Sequence, residues 1–249
     1  MKRWLNTLLL LVLCSSCATG GNRAVVNDPE SRTDQCVALL HGLARSSHSM
    51  DKLAMELTKA GYRVINMDYP SRKFDIPTLS RMVMPQALAA CAEHAPQRIH
   101  FVTHSLGGIL LRYYLSQEPI PGLGRVVMLS PPNQGSEVVD RLKHFPGFRL
   151  WNGPAGQQLG TDAAAIPLQL GPVNYDLGVI AGNRSINLFL SMLIPGNDDG
   201  KVSTTRARVE GMQDFLILPV THPLIMRDRR VIAQVLHYLN HGRFSRETE

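Results

Sequence analysis

From residue 36 to residue 241 the chain switches repeatedly between two hydrophobic periods, and this alternation limits its fold more than any other feature. A short continuous apolar run covers 36–40, and strand-like segments follow at 62–67, 99–103, 126–129, 177–181 and 215–218. Between them, 50–60, 76–95, 106–117 and 231–241 carry apolar residues at helical spacing. A short run without polar alternation reads as a strand buried on both faces. Strands that alternate with helices imply a mostly parallel sheet, with the crossover helices covering both faces. Gly61 and Gly242 stand where the first and last helices should stop. Pro85 implies a kink, or a break into two shorter helices, within 76–95. The expected class is therefore α/β. Between 131 and 175 the pattern lapses into Gly, Pro, Asn and Gln around one helix-like piece at 136–145. A long stretch with little regular structure is usually functional, so 132–175 is expected to form a cap or lid.

Composition sets the boundaries of this reading. A chain of 249 residues, 44% hydrophobic and 18% charged, suits one ordinary globular domain or at most two small ones and excludes a disordered chain. The formal charge of +6 does not point to nucleic acid. Two of its charges, Lys2 and Arg3, lie in a leader, and the remaining basic residues are mixed with acids in runs no longer than a pair.

The N-terminus has the layout of a bacterial export signal: a basic start, an apolar run from Leu5 to Leu13, then Ser15-Ser16-Cys17. The apolar run is too short to span a bilayer. The segment resembles a lipoprotein signal, in which a small residue precedes the cysteine that receives the lipid. Cys17, after Ser16, fits better than Cys14, after bulky Leu13. Residues 1–16 are then the signal and 17–34 a polar tether, with the folded domain over 35–249. The resemblance implies a cell-envelope protein, anchored at the outer membrane because Ala18 rather than Asp follows Cys17. The alternative is ordinary cleavage near Ala18 and a soluble periplasmic or secreted product.

The chemistry centres on Thr103-His104-Ser105-Leu106-Gly107-Gly108, which closes a predicted strand and opens a predicted helix. A sharp strand-to-helix turn projects the hydroxyl of Ser105, and small residues two before and two after it let the turn close. Gly107 meets the second requirement, whereas Thr103 stands where glycine is usual. Ser105 is then either a nucleophile or an ordinary N-cap. Further along, Gly196-Asn197-Asp198-Asp199-Gly200 follows the 177–181 strand, and His222 follows the 215–218 strand. Serine, then a carboxylate, then histidine, each beyond a strand end, is an order suited to nucleophilic acyl transfer. His104 should pack around the turn, and His41 should order its own loop.

Six blocks together resemble the lipase-like branch of the α/β-hydrolase superfamily: HGLARSS (41–47), NMDYPS (66–71), THSLGG (103–108), MLSPPNQGS (128–136), NDDGKVS (197–203) and LPVTHPLIM (218–226). The resemblance implies a six-stranded sheet of order 2-1-3-4-5-6. By position it makes Ser105 the nucleophile, His222 the general base and Asp199 its orienting acid, with Asp198 facing solvent or capping the local turn. The amides of Leu43 and Leu106 become the oxyanion hole. The implied activity is hydrolysis of carboxylic esters, on an ester or lipid substrate. Two other readings stay open: a non-catalytic lipoprotein with this fold, and an amidase or peptidase. No metal or organic cofactor is expected, since the four cysteines and scattered histidines lack zinc-ligand spacing. Leu43, Leu106, Leu110, Phe145, Phe148, Leu150, Trp151, Phe189 and Leu190 could line an acyl site, with ordinary core the default for each.

The implied strand order also pairs the two cysteines beyond the leader. The helix holding Cys91 must cross from the second strand over the first to reach the third, which carries Cys91 above Cys36 at the start of the first strand. In an oxidising compartment the two are expected to form a disulfide; separate buried thiols are the alternative.

Overall fold

The computed structural model describes residues 34–246; the leader, the lipidation candidate Cys17 and nearly all of the 17–34 tether lie outside them. Six strands, β1 (Gln35–Leu40), β2 (Arg63–Met67), β3 (Arg98–His104), β4 (Leu123–Leu129), β5 (Leu177–Gly182) and β6 (Asp214–Leu218), form one sheet. Its order is β2-β1-β3-β4-β5-β6, and every pairing is parallel.

The apolar runs are continuous because both faces are covered. Cys36, Ala38 and Leu40 of β1 enter one core, with Phe101, Val126, Met128 and Val179 from neighbouring strands. Val37 and Leu39 enter the opposite core, with Val102, Val127 and Ile180. The first core is closed by α2 (Ile76–Ala92) and α3 (Leu106–Leu115), through residues such as Leu79, Val83 and Ile109. The second is closed by α1 (Asp51–Lys59) and the C-terminal helix Arg229–His241, through Leu53, Leu57, Val231 and Val235. That last helix starts on Asp228, whose carboxylate caps the N–H groups of Arg230 and Val231, and stops at Gly242 with φ 69°.

One alternative is excluded and one expectation is corrected. Pro85 does not break its segment in two: one helix runs through it, with Pro85 on the exposed face. There the Arg81 carbonyl, deprived of its donor, can turn to water. The stretch after β4 is also more helical than its composition suggests, with α4 (Glu137–Leu142), α5 (Pro146–Gln157) and α6 (Ile166–Gln169). Periodicity misses α5 because Gly153, at φ 65°, and Pro154 kink it in the middle. A further short helix, α7 (Leu188–Ser191), follows β5, which makes the C-terminal helix α8.

Cys36 and Cys91 are joined by a disulfide, with Cα atoms 5.7 Å apart. The bridge ties the start of β1 to the end of α2, at the edge of the sheet opposite the strand C-termini. Those C-termini lie level with one another: Leu40 pairs with Met67 and Thr103, His104 with Leu129, and Gly182 with Leu218. Residues that follow the strand ends are thereby gathered along one edge, where ligands of open α/β sheets bind.

Candidate active site

Ser105 occupies the turn from β3 into α3 with φ 52° and ψ −120°, a region that residues with a Cβ rarely enter. Two glycines permit the turn. A Cβ on Gly107 would stand 2.6 Å from the Leu40 carbonyl oxygen, so only glycine lets α3 lie this close to the end of β1. A Cβ on Gly108 would stand 3.1 Å from Thr103 Oγ1 and 3.2 Å from Met128 Sδ. Thr103, the departure from the usual small residue, is fully buried, and its side chain occupies room that Gly108 leaves open.

Ser105, His222 and Asp199 meet at the C-terminal edge although they lie far apart in the chain. His222 Nε2 is 3.1 Å from Ser105 Oγ, and its Nδ1 is 2.8 Å from Asp199 Oδ2. With Nδ1–H donating to the carboxylate, Nε2 is free to accept the serine proton. Asp199 is held from several sides: Lys201 N–H and Val202 N–H donate to Oδ1 at 3.0 and 2.9 Å. Burial by itself would raise the Asp199 carboxyl. The adjacent His222 ring and hydrogen bonds from Ser130 and Val202 outweigh it, so the group stays ionised below its ordinary range. Gly182 makes the approach possible, since a Cβ there would stand 2.9 Å from Asp199 Cβ.

The neighbouring Asp198 caps the local turn, one of its two expected roles. Its Oδ1 accepts from Gly200 N–H at 2.6 Å and from the Ser191 hydroxyl at 2.7 Å. His41 orders its own loop: Nδ1 donates to the Gly42 carbonyl at 2.9 Å, Nε2 accepts from Tyr69 N–H at 3.3 Å, and the ring stacks on Tyr69.

Two supporting side chains escaped the sequence reading. Ser130, just past β4 at φ 45°, lies between the sheet edge and Asp199, and its hydroxyl also accepts from Gly182 N–H at 3.3 Å. Its position directly after a strand end was the only sequence signal available. His104, expected merely to pack, donates from Nε2 to the His222 carbonyl at 3.1 Å and so fixes the loop that bears His222. Burial, with the neighbouring His222, pushes the His104 ring well below its ordinary value and keeps it neutral.

Leu106 is the first residue of α3, so its N–H lies outside the helix's own bonding pattern. Leu43 sits second in the turn closed by Arg45 N–H onto the Gly42 carbonyl, which leaves the Leu43 N–H unused by that turn. Both amides belong to segments that flank Ser105. A cavity of about 180 Å³ opens over Ser105 and His222, with Leu43, Val138, Val139, Leu142, Phe148, Leu159 and Leu190 among its walls. Of the proposed acyl-site residues, Leu43, Phe148 and Leu190 therefore line it. Leu106 and Leu110 are core, Phe145 and Phe189 are exposed, and Leu150 and Trp151 border an adjoining groove instead. Among the described residues no cluster of three His, Cys, Asp or Glu side chains could hold a metal.

A family model described as the alpha/beta hydrolase family matches residues 37–235. No curated protein matches in sequence. Among solved structures, the chain is similar to the mature lipase BlEst2 of Bacillus licheniformis, with 19% identity and a TM-score of 0.61 over 82% of this chain and 91% of that one. It is similar to a metagenomic carboxyl esterase, with 17% identity and a TM-score of 0.63 over 78% of this chain and 66% of the other. The phospholipase PlaB of Legionella pneumophila gives 18% identity and a TM-score of 0.56 over 70% of this chain and 45% of that one. At these identities the likeness concerns the fold.

Proposed function

This chain belongs to the alpha/beta hydrolase family, and from that premise we propose that it is a serine hydrolase that cleaves carboxylic esters. The observation that carries the reading is the hydrogen-bonded series Ser105–His222–Asp199, at 3.1 and 2.8 Å, set on a strained turn beside an apolar cavity. Strain of this kind costs on the order of 1–3 kcal/mol, and an N-cap alone gives no reason to keep it.

In this reading His222 Nε2 takes the Ser105 proton as Oγ bonds to the ester carbonyl carbon. The carbonyl oxygen gains the negative charge and is met by the amides of Leu106 and Leu43; one such donor is worth about 3 kcal/mol. The N-terminus of α3 adds a favourable dipole. The C–O bond to the alcohol then breaks, and the imidazolium of His222 returns the proton to the leaving alkoxide. Water, deprotonated by the same ring, attacks the acyl-enzyme, releases the acid and restores Ser105. Asp199 keeps Nδ1 protonated and stabilises the imidazolium throughout. Residues 132–175 serve as the cap, because Val138, Val139, Leu142, Phe148 and Leu159 wall the cavity from that segment.

A fluorophosphonate probe, followed by p-nitrophenyl esters of rising chain length beside anilide analogues, tests the reading. Labelling at Ser105, ester turnover and loss of both in Ser105→Ala are expected, the last by several orders of magnitude. An unlabelled Ser105 would instead assign a non-catalytic role, and anilide turnover matching that of the esters would assign an amidase. For location, we infer lipid attachment at Cys17 on the pattern of residues 1–18, which places the hydrolase at the envelope membrane.

A further inference from the structure

Next to the apolar cavity lies a second, wider depression that adds cationic side chains to a partly apolar wall. It is a groove of about 590 Å³ bordered by Arg45, Arg72 and Lys73, by Tyr69, and by Leu150 and Trp151 on its rim. No carboxylate borders either the groove or the cavity. Arg45 borders both, and Lys201 stands on the cavity side, where burial and then the nearby Arg45 disfavour its charge and Asp199 favours it. Among the described residues none of these four cations has an ion-pair partner. The nearest carboxylates make their closest contacts elsewhere: Asp199 with His222, Asp68 with Ser47 N–H at 2.9 Å, and Asp75 as the cap of α2.

The groove is built rather than incidental. Ala44, at φ 55°, donates its N–H to the buried Ser71 hydroxyl at 3.0 Å, which pins the loop of Arg45 to the loop of Arg72 and Lys73. A Cβ on Gly153 would overlap the Arg72 carbonyl, so glycine at the kink of α5 is what allows that helix to close over the same loop. The kinked helix then divides the two spaces: Phe148 and Asn152 face the cavity, Leu150 and Trp151 the groove.

Resting on the reading of Ser105 as an esterase nucleophile, we propose that the substrate is an ester whose alcohol carries an anionic group, phosphate above all. Its acyl chain occupies the apolar cavity and its anion the groove of Arg45, Arg72 and Lys73. The exposed charges keep the groove hydrated whereas the cavity walls are apolar, so the acyl chain belongs on the cavity side. A concave wall of one charge focuses field and raises the local concentration of an anion. Two guanidinium groups match phosphate oxygens with paired donors, which a neutral alcohol would leave unused. The anion takes no part in bond breaking; it positions the leaving group.

The test compares 1-octanoylglycerol 3-phosphate with 1-octanoylglycerol as monomers, below the concentration at which either forms micelles. At low ionic strength kcat/KM should favour the phosphorylated ester by about tenfold or more, and the preference should shrink toward unity at about 0.5 M sodium chloride. In Arg72→Gln/Lys73→Gln the ratio should fall toward unity, and in Arg72→Glu/Lys73→Glu below it. The octanoyl ester of glyceric acid decides the anion: equal preference extends the groove to carboxylates, a weaker one restricts it to phosphate. Equal rates on the first two esters in the wild type would overturn the proposal and leave the esterase reading intact. So would a preference that appears only in phosphatidylglycerol–phosphatidylcholine vesicles, since the cations would then be reading a surface. Failure to cleave either ester, with Ser105 unlabelled, would remove the underlying reading and the proposal with it.

Discussion

His222 is bound twice to Asp199: its ring Nδ1 lies 2.8 Å from the carboxylate, and its backbone N–H donates to the Asp199 carbonyl at 2.9 Å. The backbone bond sets where the ring begins, and the side-chain bond sets how it is turned. Asp199→Asn should keep the first and lose the second, lowering kcat on an ester by as much as about 10⁴ with little change in KM. Asp198→Asn, which weakens only the turn cap on Gly200 and Ser191, should cost about tenfold or less. A larger kcat loss in Asp198→Asn would reverse the two roles.

The fit of Thr103 against Gly108 predicts a coupled pair. Gly108→Ala should destabilise the protein by about 1–3 kcal/mol, because the added methyl meets Thr103 Oγ1 and Met128 Sδ and neither can move far in the core. Thr103→Ser/Gly108→Ala should recover part of that loss, since the smaller side chain loses its methyl and can turn its hydroxyl aside. Urea unfolding of the four proteins of the cycle gives the coupling; strict additivity would mean the two sites do not share the space.

The covalent link from Cys36 to Cys91 spans 55 residues. Cys36→Ala/Cys91→Ala should lower unfolding free energy by about 2–4 kcal/mol, as expected when the unfolded chain regains the freedom of that loop. Activity at room temperature should persist, because the bridge lies at the edge of the sheet away from Ser105. A variant as stable as the wild type in oxidising buffer would show that the bridge contributes nothing.

His100 is buried with Nδ1 accepting from Arg125 N–H at 2.8 Å, while Nε2 donates to Gln35 at 3.1 Å. Burial and nearby Arg125 lower its pKa from 6.5 to about 4. The folded protein therefore holds the ring neutral where the unfolded chain would already have protonated it. The contribution to stability is full above pH 6.5, declines as pH falls, and levels off below about 4, amounting to about 3 kcal/mol at most. Subtracting the pH–stability curve of His100→Gln from that of the wild type should isolate this slope. A flat difference across the window would show that the ring is protonated as readily when folded.

Attachment through Cys17 predicts a change of cell fraction. Cys17→Ser expressed in a Gram-negative host should pass from the membrane to the soluble fraction, and the wild-type N-terminal peptide should carry acyl mass. Unchanged partitioning, or an unmodified peptide, would assign the leader to ordinary cleavage.

The parallel sheet was legible because its inner strands are buried on both faces and so appear as apolar runs, unbroken in residues 36–40. Ser105, Asp199 and His222 could be singled out because each follows a strand end, and parallel strands bring such positions to one edge. What stayed hidden depends on contacts between loops. Ser71 holding Ala44, and His104 holding the carbonyl of His222, bridge 27 and 118 residues through single polar atoms and leave no periodic trace. The kink at Gly153 hid α5 for a related reason: it joins two pieces, each too short to show a period.

The strand order also sets a sequence in time. Ser105 stands between β3 and β4, in the middle of the sheet, whereas its partner His222 comes 117 residues later, beyond the edge strand β6. A chain halted anywhere before β6 carries the Ser105 hydroxyl without the ring that lies 3.1 Å from it in the finished fold. If Ser105 is the nucleophile proposed above, competence to react arrives only with His222, after the last strand, and an unfinished copy has nothing to activate its serine.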